Sequence, residues 1–204
     1  EKKKSNCKKV NFRSVRKLIE IYPKSKFVFI SSDSVYCGST PHSENKLKKP
    51  LNYYGSLKLK SENLIRKLSK NYFIIRTTPV GHPGINKKKT FVSWIIDGAK
   101  KNKKIDLFGD VFFSPISTNY LIKEIKFILK NNLVGTYNIS SKNKISKYNF
   151  AKKLCDILKL NSSNLKKSKV SNVTLYANRN KNQVLDCNLY QKTFKRKYIY
   201  CKSF

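Results

Sequence analysis

The chain has 204 residues, 39% hydrophobic and 27% charged, with a formal net charge of +34. Such a length can bury a full core, and no apolar run reaches the roughly 18 residues of a membrane-spanning helix, which argues against a membrane partner. Lysine outnumbers arginine 39 to 6, so the charge reads as solvated lysine faces rather than a nucleic-acid site, whose phosphates and bases arginine forks usually read.

In chain order, Val15, Leu18, Ile19 and Tyr22 recur at helical spacing and predict an amphipathic helix that stops at Pro23. Phe27–Ile30 is a continuous apolar run, as in a strand buried on both faces. Residues 37–50 carry Gly38, Pro41 and Pro50 and predict a long loop. A helix is expected from Tyr53 to about Lys70, with Leu57, Leu64, Ile65 and Leu68 on one side, then a strand at Tyr72–Ile75. Residues 79–84 form a loop, and the next helix, Phe91 to about Asn102, turns Phe91, Trp94 and Ile95 inward. Ile105–Phe108 is a strand, Leu121–Leu129 marks a helix, Thr136–Ile139 a strand and Ser146–Leu160 a helix. The Ser/Asn/Lys-rich stretch 161–182 predicts irregular structure, and a short helix is expected near Asn188–Phe194. Strands alternating with helices argue for an α/β fold, a parallel sheet covered by helices, with ligands at the carboxyl ends of its strands.

The five cysteines are odd in number and scattered, and there are only two histidines. That spacing predicts no metal site and points to reduced thiols in a cytoplasmic protein. One spacing does suggest chemistry. Tyr54 and Lys58 lie one helical turn apart, downstream of Ser32 at the end of the Phe27–Ile30 strand. An ammonium about 5 Å from a phenol, at an effective dielectric of about 20, favours the phenolate by roughly 3 kcal/mol. That would bring the phenol toward neutrality, where general acid–base catalysis works best. Tyrosine meets lysine at this spacing four times, at Tyr22, Tyr54, Tyr148 and Tyr198. Only Tyr54 follows both a serine-ended strand and the lead-in Pro50-Leu-Asn-Tyr-Tyr-Gly55. Ser32, Tyr54 and Lys58 could together protonate a carbonyl oxygen as hydride reaches its carbon from a cofactor.

Several segments occur in the order of a known family: Ile30-Ser-Ser-Asp-Ser-Val-Tyr36 with Gly38, Pro50–Lys58, Ile74-Ile-Arg-Thr77, Phe113-Ser-Pro-Ile116, Gly135-Thr-Tyr-Asn138, Ile145–Phe150 and Asn182-Gln-Val-Leu-Asp186. The chain resembles the extended short-chain dehydrogenase/reductases, in the branch of the dTDP-4-dehydrorhamnose reductases. The resemblance implies the C-terminal part of a Rossmann-type parallel sheet with helices on both faces, in residues 1–110, and mainly a small α/β substrate-binding portion in 111–204, the two interleaved. It implies a catalytic role for Ser32, Tyr54 and Lys58, and cofactor contacts from Tyr54, Lys58, Thr77 and Thr78. Ser32, Asp33, Pro79, Val80 and Arg179 are then the substrate-side residues. The implied cofactor is NADP or NAD, with NADPH slightly favoured. The implied substrate is a nucleotide-linked 4-keto-deoxysugar, reduced during synthesis of a cell-surface polysaccharide precursor, and a homodimer is left open.

The sequence departs from the family pattern at Ser34, Pro79 and Asn180, where the family commonly has a tyrosine, an aromatic and a proline. The seven glycines never form the Gly-x-x-Gly-x-x-Gly turn that seats a dinucleotide's pyrophosphate, and no methionine is present. About 80 to 100 upstream residues are therefore expected, from the resemblance and the usual βαβ unit of ~30 residues, leaving these residues inactive by themselves. Two rival readings are a non-catalytic regulatory or binding member of the same fold and a lysine-rich nucleic-acid binder.

Overall fold

A computed structural model describes residues 4–39, 41–81, 89–172, 177–178 and 180–200. The chain begins with helix α1 (Lys4–Lys8), one π turn (Lys9–Arg13) and α2 (Ser14–Ile21). Strand β1 (Phe27–Ile30), α3 (Tyr53–Leu68), β2 (Tyr72–Arg76) and β3 (Pro79–Val80) follow. Then come α4 (Phe91–Lys100), β4 (Ile105–Phe108), β5 (Phe112–Phe113), β6 (Ile116–Ser117), α5 (Thr118–Lys130) and β7 (Gly135–Asn138). The chain continues through β8 (Ile145–Ser146), α6 (Lys147–Ile157), β9 (Leu165–Ser168), β10 (Asn182–Gln183) and α7 (Asn188–Thr193).

The central sheet is parallel, in the order β1-β2-β7, with Phe27 opposite Tyr72 and Phe73 opposite Gly135. Strand β2 is apolar on both faces because both are covered. Ile74 packs with Phe29, Val15, Ile19 and Ile65, the inner stripe of α2 and α3. Phe73 and Ile75 pack with Leu121, Ile128 and Tyr190 of α5 and α7. A third cluster joins α4, α6, β4 and β9 through Ile95, Leu107, Ala151 and Leu165. Chain order interleaves the two groups, since α5, β7 and α7 rejoin the central sheet after α4 and β4. No helix among the described residues is long and apolar enough to cross a membrane.

Local rules set the helix ends. Ser117 and Ser146 cap α5 and α6 by accepting from the backbone N–H groups of Tyr120 and Asn149. Thr90 and Ser93 form a reciprocal capping box at the start of α4.

Two expectations are corrected. The stretch 161–182 is not wholly irregular: Leu165–Ser168 pairs in parallel with Ile105–Phe108. Only Leu165 of that strand is buried, and its two lysines are exposed, so a half-wet strand carries no apolar signal. Trp94 does not turn inward; it is 41% exposed, while Val92, Ile95 and Ala99 form the buried stripe of α4. The predicted loop at 79–84 is described only as far as Gly81, and Pro79–Val80 within it pairs with β6.

Candidate active site

Strands β1 and β2 are parallel neighbours, so their carboxyl ends open on the same side of the sheet. After Ile30, Ser31 keeps the ladder by donating its N–H to the Ile75 carbonyl. Ser32 stays extended and opens a 3₁₀ turn, Asp33–Val35. Its hydroxyl accepts from the Ser34 N–H at 3.2 Å and donates to Asp33 Oδ1 at 2.7 Å. That turn lies against the first turn of α3. Asn52 caps the helix by accepting from the Gly55 N–H at 2.9 Å. Gly55 makes the approach possible: a Cβ there would lie 2.2 Å from the Ser34 carbonyl oxygen. Tyr54, 40% exposed, thereby stands in the first turn of α3 beside the turn that carries Ser32.

Lys58 lies one turn further along α3. Its ammonium donates to the Ile30 carbonyl at 2.9 Å and stands 4.7 Å from the Phe29 ring centre and 5.7 Å from that of Tyr54. At the end of β2, Thr77 is buried, and the Thr77 and Thr78 hydroxyl oxygens are both enclosed without a hydrogen-bond partner. Pro79 is exposed and Val80 buried. Ser32, Asp33, Tyr54 and Lys58 thus converge on the end of β1, with Thr77 and Thr78 on the adjoining strand end. Arg179 lies outside the described residues.

The electrostatics depart from expectation. The Tyr54 phenol is raised above its ordinary value, by burial first and then by the Asp33 charge, with the Ser32 hydrogen bond opposing. The simple Tyr–Lys argument omitted the nearby carboxylate and gave Lys58 no competing partner. The Lys58 ammonium is itself lowered, chiefly by burial. Asp33 is raised by burial, against its hydrogen bond to Ser32 and the charge of Lys147.

Behind the site lies a buried polar network. Glu62, on α3, accepts from Ser31 Oγ at 2.6 Å and from Arg76 Nη2 at 2.6 Å and Nε at 3.0 Å. Arg76 also reaches the Tyr36 hydroxyl, which contacts Asn138 Oδ1 at 3.3 Å. The network ties the Ser31–Ser32 strand end to the helix that carries Tyr54 and Lys58, and to β2 and β7. Sequence reasoning gave Glu62 and Arg76 no role. The available signal was a lone arginine closing the apolar strand Tyr72–Ile75 and a glutamate two turns past Tyr54.

The architecture is that of the Rossmann-type α/β proteins, a parallel sheet with helices on both faces and polar side chains gathered at its carboxyl edge. More narrowly, the chain belongs to the RmlD substrate binding domain family, whose model matches residues 1–201. A dTDP-4-dehydrorhamnose reductase from Clostridium acetobutylicum superposes with a TM-score of 0.90, at 23% identity, over 99% of this chain and 72% of that one. The dTDP-4-dehydrorhamnose reductase of Bacillus anthracis, solved in complex with NADP, gives 0.87 at 25% identity, over 98% and 70%. The spore coat polysaccharide biosynthesis protein SpsK of Bacillus subtilis is 32% identical over 130 residues, 62% of this chain and 44% of that protein. The methionine adenosyltransferase 2 subunit beta of Rattus norvegicus is 28% identical over 168 residues, 78% of this chain and 50% of that protein. The chain spans about half the length of these curated relatives.

Proposed function

We propose that the protein is an NAD(P)-dependent reductase of a nucleotide-linked 4-keto-deoxysugar, working in the cytoplasm on a precursor of a surface polysaccharide. The observation that carries this reading is the packing of the turn that holds Ser32 against the first turn of α3 at Gly55, next to Tyr54, with the Lys58 ammonium on the Ile30 carbonyl one turn away. Ser32 holds the substrate carbonyl oxygen, and Tyr54, kept protonated at neutral pH, delivers a proton to it. Lys58 braces the strand end through Ile30 and offers its charge to the cofactor's ribose. A bound nicotinamide cofactor supplies hydride to the carbonyl carbon.

The partnerless hydroxyls of Thr77 and Thr78, enclosed beside that site, fit a polar ligand such as the nicotinamide end of the cofactor. The central-sheet elements form the cofactor side; α4, β4, α6 and β9 form the substrate side, with Asp33, Pro79 and Val80 toward the sugar, and Arg179 is a further substrate residue. The 204 residues contain no Gly-x-x-Gly-x-x-Gly, so these groups account for the proton-transfer half of the reaction.

The test is hydride transfer by the complete gene product, followed at the nicotinamide absorbance. Tyr54→Phe is expected to lower turnover at least 100-fold while the cofactor still binds, and unaltered turnover refutes the assignment. A second reading is a binding subunit that retains the pocket. It is favoured by the likeness to a protein named as a methionine adenosyltransferase subunit. It predicts nucleotide binding with no hydride transfer even in the unaltered protein.

A further inference from the structure

Tyr54, Lys58 and Glu62 follow one another at single-turn intervals along α3. The last two grip consecutive residues of the neighbouring strand end. The Lys58 ammonium donates to the Ile30 carbonyl at 2.9 Å, and the Ser31 hydroxyl donates to Glu62 Oε1 at 2.6 Å. The Ser31 N–H is taken by the Ile75 carbonyl of β2 at 2.7 Å. Both polar groups of the peptide that joins Ile30 to Ser31 are therefore held, and so is the hydroxyl beside it. Ser32, the next residue, leaves this fixed point in an extended conformation.

The carboxylate that holds Ser31 is itself held. Glu62 is fully buried. Arg76 Nη2 donates to its Oε2 at 2.6 Å and Nε to its Oε1 at 3.0 Å, so Oε1 is shared between Arg76 and Ser31. An ion pair that served only to stabilise the fold would need no serine, and here the serine adjoins Ser32.

Glu62 also acts on Lys58. The half-buried Lys58 ammonium is faced by the Tyr54 ring from the turn before, the Phe29 ring of β1, the Cys7 thiol of α1 and Glu62 from the turn after. Burial disfavours its charge, and Cys7 and Glu62 oppose that effect. Glu62 is the carboxylate among these groups.

We propose that Glu62 is a positioning residue of the reduction: through Ser31 it sets the place of Ser32, and through its charge it holds the Lys58 ammonium that the cofactor meets. This rests on the reading of the protein as an NAD(P)-dependent reductase.

Two variants of the complete gene product separate the two actions. Ser31→Ala removes one hydroxyl and leaves the Glu62–Arg76 pair in place. On a dTDP-linked 4-keto-deoxysugar its kcat is expected to fall about 10- to 100-fold, the effect of a slight misplacement. Its KM stays within about threefold, because uniform binding is not what is lost. Glu62→Gln removes the charge. The reactivity of Lys58 toward an amine-reactive ester, followed by mass spectrometry of its peptide from about pH 6 to 10, reports on the ammonium without any reductase chemistry. Its midpoint should fall by about 0.3 pH units or more in Glu62→Gln, the contribution of an ordinary i,i+4 ion pair, and stay in place in Ser31→Ala. Cys7 is the same in both variants, so the fall belongs to Glu62. Where Glu62→Gln does not fold, Glu62→Met with Arg76→Met strands no charge, and its Lys58 midpoint should also lie below that of the unaltered protein.

An unchanged Lys58 midpoint in the variants lacking Glu62, or unaltered kcat in Ser31→Ala, overturns the proposal. Absence of hydride transfer in the unaltered protein, with the Lys58 midpoint still lowered when Glu62 is replaced, overturns the reductase reading and leaves the link from Glu62 to Lys58 standing.

Discussion

Glu62→Gln is the sharpest test of what holds the site together. The substitution preserves shape and removes one charge. Glu62 is fully buried, and Arg76 is only 2% exposed. The carboxylate accepts from Arg76 Nη2 at 2.6 Å and from Ser31 Oγ at 2.6 Å, with Arg66 at 3.4 Å on its outer side. Without that charge, Arg76 keeps the Tyr36 hydroxyl and a long contact to the Glu44 carbonyl at 3.5 Å, neither of them anionic. Stranding one member of a buried ion pair costs about 3–5 kcal/mol. For a chain of this length each kcal/mol moves Tm by about 2–4 °C, so a fall of roughly 6–20 °C is expected. Urea denaturation and a thermal melt of the complete gene product measure it. The double change Glu62→Met with Arg76→Met should recover most of the loss, because well-packed apolar residues replace such pairs at little cost. A Glu62→Gln penalty below about 1 kcal/mol, or a double variant worse than the single one, refutes the reasoning.

Two further outcomes follow from the geometry around Ser32. Gly55→Ala places a methyl 2.2 Å from the Ser34 carbonyl oxygen, so α3 must move off the turn that carries Ser32. Turnover should fall about 100-fold while the circular dichroism spectrum stays helical; unchanged turnover shows that the close approach is not needed. His42 is stacked on Tyr36 with ring centres 5.0 Å apart, and its Nδ1 is buried without a partner. Its folded-state pKa lies below the ordinary 6.5, through burial first and the Lys46 charge as a lesser cause, while the Asn182 carbonyl and Asp33 oppose the shift. With a depressed folded value, the unfolded chain takes up its proton first. Stability is therefore full above pH 6.5 and is lost as pH falls from there toward the folded value. Urea midpoints measured from pH 7.5 to 5 should decline for the unaltered protein and decline less for His42→Gln, and parallel curves rule His42 out as the cause.

The parts of the fold legible in the sequence are those where one segment carries its own signal. Phe27–Ile30 and Tyr72–Ile75 announce themselves because both of their faces are covered, and the Tyr54 helix because Leu57, Leu64 and Ile65 recur on one side. Strand Leu165–Ser168 was hidden because its stability comes from backbone pairing with Ile105–Phe108 rather than from its own side chains. The helical stripes were also narrower than their apolar spacing suggests: Leu18 and Leu68 satisfy the period but are 46% and 44% exposed. At the site, Ser32, Tyr54 and Lys58 were legible as types at a spacing. The Glu62–Arg76 pair was not, because it joins a helix face to a strand end, and one-dimensional periodicity does not report which polar residues meet across elements. The direction of the Tyr54 pKa escapes the sequence for the same reason, since burial and the Asp33 charge enter only in three dimensions.

That direction bears on the role of Tyr54 in the proposed reaction. A phenol drawn toward neutrality could work equally as acid or base. Burial and Asp33 instead disfavour the phenolate, so at neutral pH Tyr54 is held in the form that donates. The acceptor in a reduction is an oxygen turning from carbonyl into alkoxide, whose conjugate acid is, like water, a far weaker acid than a phenol. Even a raised phenol is the stronger acid, and the transfer runs downhill. The reverse reaction asks the same phenol to act as a base and must first form the phenolate that Asp33 opposes. The raised Tyr54 phenol therefore fits the acid's role in the proposed reduction, while the direction of net reaction is set by the substrate and cofactor pair.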